Sequence, residues 1–267
     1  MIKLIKIELK KAFPSRTFWI LAGLYLLVVG TVLLGVQSFL DNVLSKAGSK
    51  SPIPIPEIGV YEFPVIWHNL TFLAGFFKIV LGVIVIIMIT NEFSYKTIRQ
   101  NIIAGFSRLD FLKSKVGLIL VLSLYAALVV FLTGTILGFI YTQELTISSF
   151  FNKSVFIAAF ALEVFSYLCF AFMIGFLVKR SGIAIGLLLL YSFVIEPIIN
   201  YKLPTEVADF MPLRSINNLI DIPNTALMRL FGVEFQDYIS VYDVLLVIAY
   251  TIIFLGITYY VLRRRDL

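Results

Sequence analysis

Residues 91–115 read NEFSYKTIRQNIIAGFSRLDFLKSK, twenty-five residues rich in charge between two apolar runs, FFKIVLGVIVIIMIT (76–90) and VGLILVLSLYAALVVFLTG (116–134). Within them Tyr95, Ile98, Ile102, Phe106 and Leu109 recur at spacings of three and four, the period of one helical face. Lys96, Gln100 and Ser107 fall on the opposite side. The pattern predicts a short amphipathic helix, interrupted near Gly105. A plain hairpin between two helices needs only a few residues, so the length of this segment asks for a role.

The flanking runs are typical of the chain. Of its 267 residues 60% are hydrophobic and 14% charged, with a mean hydropathy of +0.98. Soluble domains carry about 45–50% apolar and about 25% charged residues, and must cover their surface with polar groups. A bilayer absorbs the excess, since a core of ~30 Å needs about 20 apolar residues in a helix. Six runs qualify, at about 17–39, 65–90, 116–141, 155–178, 183–199 and 241–262. Each satisfies its own backbone polar groups as a spanning helix. The fold class is therefore an all-α polytopic membrane protein of one transmembrane domain, 1–267. The fifth run is short and ends at Glu196-Pro197, a kink or an early stop.

Residues 1–16, MIKLIKIELKKAFPSR, place Ile2, Ile5, Leu9 and Phe13 on one stripe beside Lys3, Lys6 and Lys10. This reads as an amphipathic helix at the cytoplasmic headgroups, ended by Pro14. With the N-terminus cytoplasmic, fifteen of the 22 Lys and Arg residues lie on that side. The positive-inside rule then gives six spans with both termini inside. The net charge of +6 reports this orientation and not nucleic-acid binding. No cleavable signal peptide is evident. Of the outer segments, 40–64 contains the Pro-rich SKSPIPIPEIG (49–59), and 200–240 contains VADFM, INNLIDI and ALMRLFGV, expected as short helices.

Catalytic chemistry is poorly provided for. One histidine, His68, and one cysteine, Cys169, make a His–Cys pair, a disulfide or a soft metal site untenable; no catalytic residue and no metal site is predicted. His68 beside Trp67 suits an interfacial anchor. No G-x-x-x-x-G-K-[ST] is present, so the chain does not hydrolyse ATP by itself. Gly134-x-x-x-Gly138 and Gly182-x-x-x-Gly186 permit close helix approach. Lys78 and Glu163 lie about 11 and 12 residues from the outer boundary, which at ~1.5 Å per residue is near the midplane. Ionisable groups are expensive there, and the two are expected to pair, either as a staple between spans two and four or as a substrate contact. Glu196, before Pro197, lies nearer the outer surface and reaches water or marks a broken helix at the exit.

Glu92, Thr97-x-Arg99, Gly105-x-Ser107-Arg108 and Lys115 at the start of the next span resemble the cytoplasmic signature of ABC-2 type transporter permeases. That family typically shows E-x4-T-x-R, a short apolar stretch, S-R, and a Lys entering span three. It often has proline where this chain has Ala104-Gly105. The resemblance implies an N-terminal elbow helix, six transmembrane helices, and a cytoplasmic coupling helix between spans two and three. Its ATPase-coupling residues would be Glu92, Tyr95, Thr97, Ile98, Arg99, Ile102, Ser107, Arg108 and Lys115. Glu92 with Arg99 or Arg108 would hold the loop by charge-assisted hydrogen bonds. The resemblance further implies a separate ABC ATPase, two copies per transporter, carrying ATP and Mg that this chain does not bind. A second permease subunit, identical or not, would complete a multi-pass assembly in the cell inner membrane. The cargo class is an amphiphilic or hydrophobic compound moved outward. An ion-driven secondary transporter or channel would show several intramembrane carboxylates or inverted repeats. An intramembrane enzyme would need paired catalytic groups, and only Glu163 and Glu196 are available.

Overall fold

The computed structural model describes residues 2–48, 60–103, 105–144, 146–223 and 236–264; the side chains of 2–5, 41, 44, 45, 47, 48, 99, 101 and 102 lie outside that description. The Pro-rich 49–59 and the piece ALMRLFGV fall outside it as well. No strand occurs among the described residues. The chain opens with α1 (Ile2–Ala12) and α2 (Arg16–Gly48), followed by α3 (Ile66–Gly75), α4 (Lys78–Ser94) and the seven-residue α5 (Thr97–Ile103). Next come α6 (Arg108–Tyr141), α7 (Ile147–Phe151), α8 (Val155–Val178) and α9 (Ser181–Leu190). A π-helical turn, Tyr191–Ile195, joins α9 to α10 (Glu196–Lys202). Short helices α11 (Thr205–Ala208) and α12 (Pro212–Asn217) precede the last helix, α13 (Val241–Arg264).

Among the described residues five stretches are long and apolar enough to cross a bilayer: Arg16–Leu40, Arg108–Tyr141, Ile147–Val178, Ser181–Lys202 and Val241–Arg264. The bent pair α3–α4 makes six if counted as one span. α8 is the central helix, packed against α3, α4, α6, α9, α12 and α13. Its apolar window is 67% buried, against 22% for those of α2 and α13. Hydrophobic residues surround α8 on all sides, as an interior helix requires, whereas α2 and α13 turn most of their apolar surface outward to lipid.

Several boundaries differ from expectation, each for a local reason. The α3–α4 pair is bent by 45° between Gly75 and Lys78, just where the charged Lys78 begins α4. The third begins eight residues before Val116, because Ser107 and Asp110 form a capping box. Asp110 N donates to Ser107 Oγ at 3.0 Å, and Ser107 N donates back to Asp110 Oδ2 at 3.2 Å, which satisfies the orphan amides of a helix start. The fifth does not stop at Glu196-Pro197. Proline lacks the N–H that would continue an α-helix, and the preceding π turn carries the helix on to Lys202.

The two Gly-x-x-x-Gly patterns behave differently. A Cβ at Gly138 would lie 2.3 Å from the Phe63 ring and one at Gly134 2.8 Å from the Trp67 ring, so α6 admits aromatic side chains there. Gly182 and Gly186 have nothing within 4 Å of such a Cβ.

Candidate functional site

The stretch 91–107 is a compact connection and not one amphipathic helix. α4 continues through Glu92 to Ser94, and Lys96 takes a left-handed turn at φ 54°. α5 follows, and Gly105 at φ 90° turns the chain into the cap of α6. Glycine suits that turn because a Cβ disfavours positive φ. These two turns break the face expected from Tyr95, Ile98, Ile102, Phe106 and Leu109. Ile98 is 2% exposed and anchors α5 inward, whereas Tyr95, Leu109 and, most of all, Ile103 at 77% project outward. The side chains of Arg99 and Ile102 lie outside the described residues.

Beneath this connection lies a buried charge cluster. Lys115 Nζ, on α6, donates to Glu92 Oε1 on α4 at 2.6 Å and to Glu8 Oε2 on α1 at 2.5 Å. Lys11 Nζ stands 3.2 Å from Glu92 and 3.5 Å from Glu8. Thr97 Oγ1, at the start of α5, donates to the second oxygen of Glu92. Ser114 Oγ adds a contact to Glu8 at 3.4 Å. Glu8, Glu92 and Lys115 are all buried. Two carboxylates and two ammoniums balance one another, the condition under which charges are tolerated away from water. The cluster thus ties the first helix, the end of span two, the connecting segment and the start of span three together. Among the described side chains Glu92 pairs with Lys115 and Lys11; that of Arg99 lies outside the description. Arg108 instead donates from Nη1 to the carbonyl of Arg263, which brings the end of α13 to the same end of the bundle.

A second buried pair sits deeper. Lys78 Nζ donates to Glu163 Oε1 on α8 and, at 2.5 Å, to Asn217 Oδ1 on α12. It also lies 5.4 Å from the centre of the Tyr167 ring. A Cβ at Gly75 would come within 3.1 Å of Glu163 Oε1, so the glycine before the bend makes room for the carboxylate. Non-helical backbone at membrane depth persists where it lines a cavity. A cavity of about 200 Å³ does adjoin this break, bounded by Gly75, Phe76 and Lys78 among others.

At the opposite end from the termini the structure corrects two expectations. Trp67 and His68 are buried, so neither is a headgroup anchor. Trp67 Nε1 donates to the Phe150 carbonyl at 2.7 Å and its ring stacks on Phe131. His68 Nε2 lies 2.8 Å from the Asp221 carbonyl, and Nδ1 lies 3.3 Å from Asp237 Oδ1. Asp237 also binds Lys153 at 2.5 Å. Partial burial raises the Asp237 pKa, but the Lys153 and His68 contacts outweigh it and hold the carboxyl below its ordinary range. Glu196 is buried too and does not reach water. Its Oε1 accepts from Arg214 N at 2.6 Å, pinning the first turn of α12 to α10.

Sequence reading missed Glu8, Lys11, Ile103 and Asn217. Glu8 is the only acidic residue in the first forty, and that isolation in a basic helix was a usable signal. The reach of Asn217 to Lys78 spans 139 residues and had none. Among the described residues no group of three His, Cys, Asp or Glu side chains is placed to hold a metal ion. A family model described as ABC-2 family transporter protein matches residues 2–267. No curated protein matches the sequence.

Proposed function

The chain belongs to the ABC-2 transporter family, as a membrane permease subunit that is not itself catalytic, and on that premise we propose that the α5 connection is where a separate ATPase delivers its work. In this reading the end bearing both termini is cytoplasmic, in the cell inner membrane, and α1 is the elbow helix. The ATPase, in two copies, carries ATP and Mg, and a second permease subunit completes the pathway. The cargo is an amphiphilic or hydrophobic compound moved outward.

One observation carries the proposal: the buried cluster of Glu8, Lys11, Glu92, Thr97 and Lys115 makes α5 mechanically continuous with two spans and the elbow. A load applied to Tyr95, Ile103 and Leu109, outward apolar residues of this connection, is met by ion pairs that cost about 3–5 kcal/mol to break by loss of one partner. Small displacements are then transmitted to α4 and α6 as rigid elements. The test is co-purification with the ATPase. Ile103→Asp combined with Tyr95→Ala is expected to abolish the complex while the permease still folds, since both side chains are exposed. Wild-type recovery of the complex from that variant would sink the docking assignment.

A further inference from the structure

The cavity beside the break in span two has a mixed lining. Lys78 and Glu163 give it a buried polar floor, the half-buried Ser192 and the exposed Asn217 add polar groups to its lining, and Phe72, Ile79 and Leu213 give it apolar walls. Its rim carries Phe76 and Phe193, which are 64% and 65% exposed. Phe193 lies within the apolar stretch Ser181–Lys202 and Phe76 at the break of the α3–α4 pair, so exposed rings on both sides of the mouth belong to segments apolar enough to meet acyl chains. At about 200 Å³ it is smaller than the ~300 Å³ at which drug-sized ligands begin to fit. It holds about seven waters' worth of liquid volume, enough for a polar head and not for a whole amphiphile.

The floor selects the kind of head. Lys78 and Glu163 neutralise one another, so an incoming ion meets no spare counter-charge and loses its hydration, a penalty of several kcal/mol. An uncharged hydrogen-bonding head meets no such obstacle. The Asn217 amide has its oxygen engaged by Lys78, which leaves its N–H donors for a ligand, and the Ser192 hydroxyl makes only a 3.4 Å contact to Tyr167.

We propose that this cavity is a lateral binding site for the uncharged, hydroxyl- or amide-bearing head of a single-chain amphiphile, with its tail in the bilayer along Phe76 and Phe193. This deepens the amphiphile reading above and rests on it for the role of cargo, but not for binding.

The test uses the permease with its ATPase in phosphatidylcholine nanodiscs, photolabelled with monododecanoylglycerol carrying a diazirine in its chain. Adducts are expected to concentrate at 72–79 and 192–193. Unlabelled monododecanoylglycerol should compete about tenfold better than dodecanoate or dodecylamine, which share its tail length. Asn217→Asp is isosteric and makes the floor net negative, so dodecylamine should become the best competitor. Ser192→Leu, on another helix, fills the floor and should cut labelling by about tenfold. Uniform labelling of the lipid-facing surface, equal competition by the three amphiphiles, or an unchanged order in Asn217→Asp overturns the proposal. Cross-links between two permease copies through residue 193, in place of lipid adducts, overturn it as well. Labelling as expected in a protein that binds no ATPase would instead sink the transporter reading and leave the site standing.

Discussion

Replacing Lys115 by Met keeps the length of the side chain and removes the ammonium from between two buried carboxylates. Both are within direct hydrogen-bond reach, at 2.5 and 2.6 Å. Removing one partner of a buried ion pair costs about 3–5 kcal/mol, because the remaining charge stays buried without compensation. Lys11, at 3.2 and 3.5 Å and about one-third exposed, still faces both carboxylates and offsets part of this. The lower end, about 3 kcal/mol, follows. For a chain of this size that is roughly 6–12 °C in melting temperature. Thermal unfolding of the purified protein in detergent reads the shift directly. Lys113→Met on the exposed side of the same helix is the control and should stay within about 0.5 kcal/mol of the parent. Adding Glu8→Gln and Glu92→Gln to Lys115→Met removes the orphaned charges and should recover at least half of the loss. A Lys115→Met melting temperature indistinguishable from that of Lys113→Met would refute the reasoning, as would a triple variant less stable than the single one.

Gly138→Ala places a methyl 2.3 Å from the Phe63 ring and should destabilise by about 1–3 kcal/mol through overpacking. Gly30→Ala, where nothing lies within 4 Å, should be neutral or gain up to about 1 kcal/mol; the same melting assay compares them. Glu163→Gln leaves Lys78 without its counter-charge and should lower the melting temperature, whereas Lys78→Met with Glu163→Gln removes both charges and should restore most of it. Asp237 has a depressed pKa in the folded state, so its contribution is present above the ordinary carboxylate range and lost as pH falls through the folded value. The melting difference between the parent and Asp237→Asn should therefore be constant near neutrality and vanish under acid. Because Asp237 is partly exposed, the difference should stay under about 1 kcal/mol.

Much of this protein is legible without coordinates. Hydropathy runs locate the spanning segments because a bilayer leaves a helix no alternative means of satisfying its backbone. Glu92, Thr97 and Lys115 were legible as members of one signature, and Lys78 with Glu163 as a pair, since charges so deep must find each other. Boundaries were harder where one or two residues decide them. The Ser107–Asp110 box moved the start of α6, and a π turn carried α10 past Pro197. The interruption near Gly105 was legible, but the apolar face of 91–109 failed at Lys96, because period alone does not register the turn there that separates inward Ile98 from outward Tyr95.

What sequence alone determined is therefore the solvent and the apolar runs that can cross it, together with the residue types that must be compensated. These follow from local length and from the energetic penalty of leaving charge or backbone unpaired in lipid. Tertiary structure decided which partner each charge took. Glu92 meets Lys115 and Glu8 lies 107 residues from that same lysine, while Lys78 closes a floor with Glu163 and a distant Asn217. Any of several cations or carboxylates satisfies the rule that a buried charge be paired, and only the packing of α1, α6, α8 and α12 around one another selects among them.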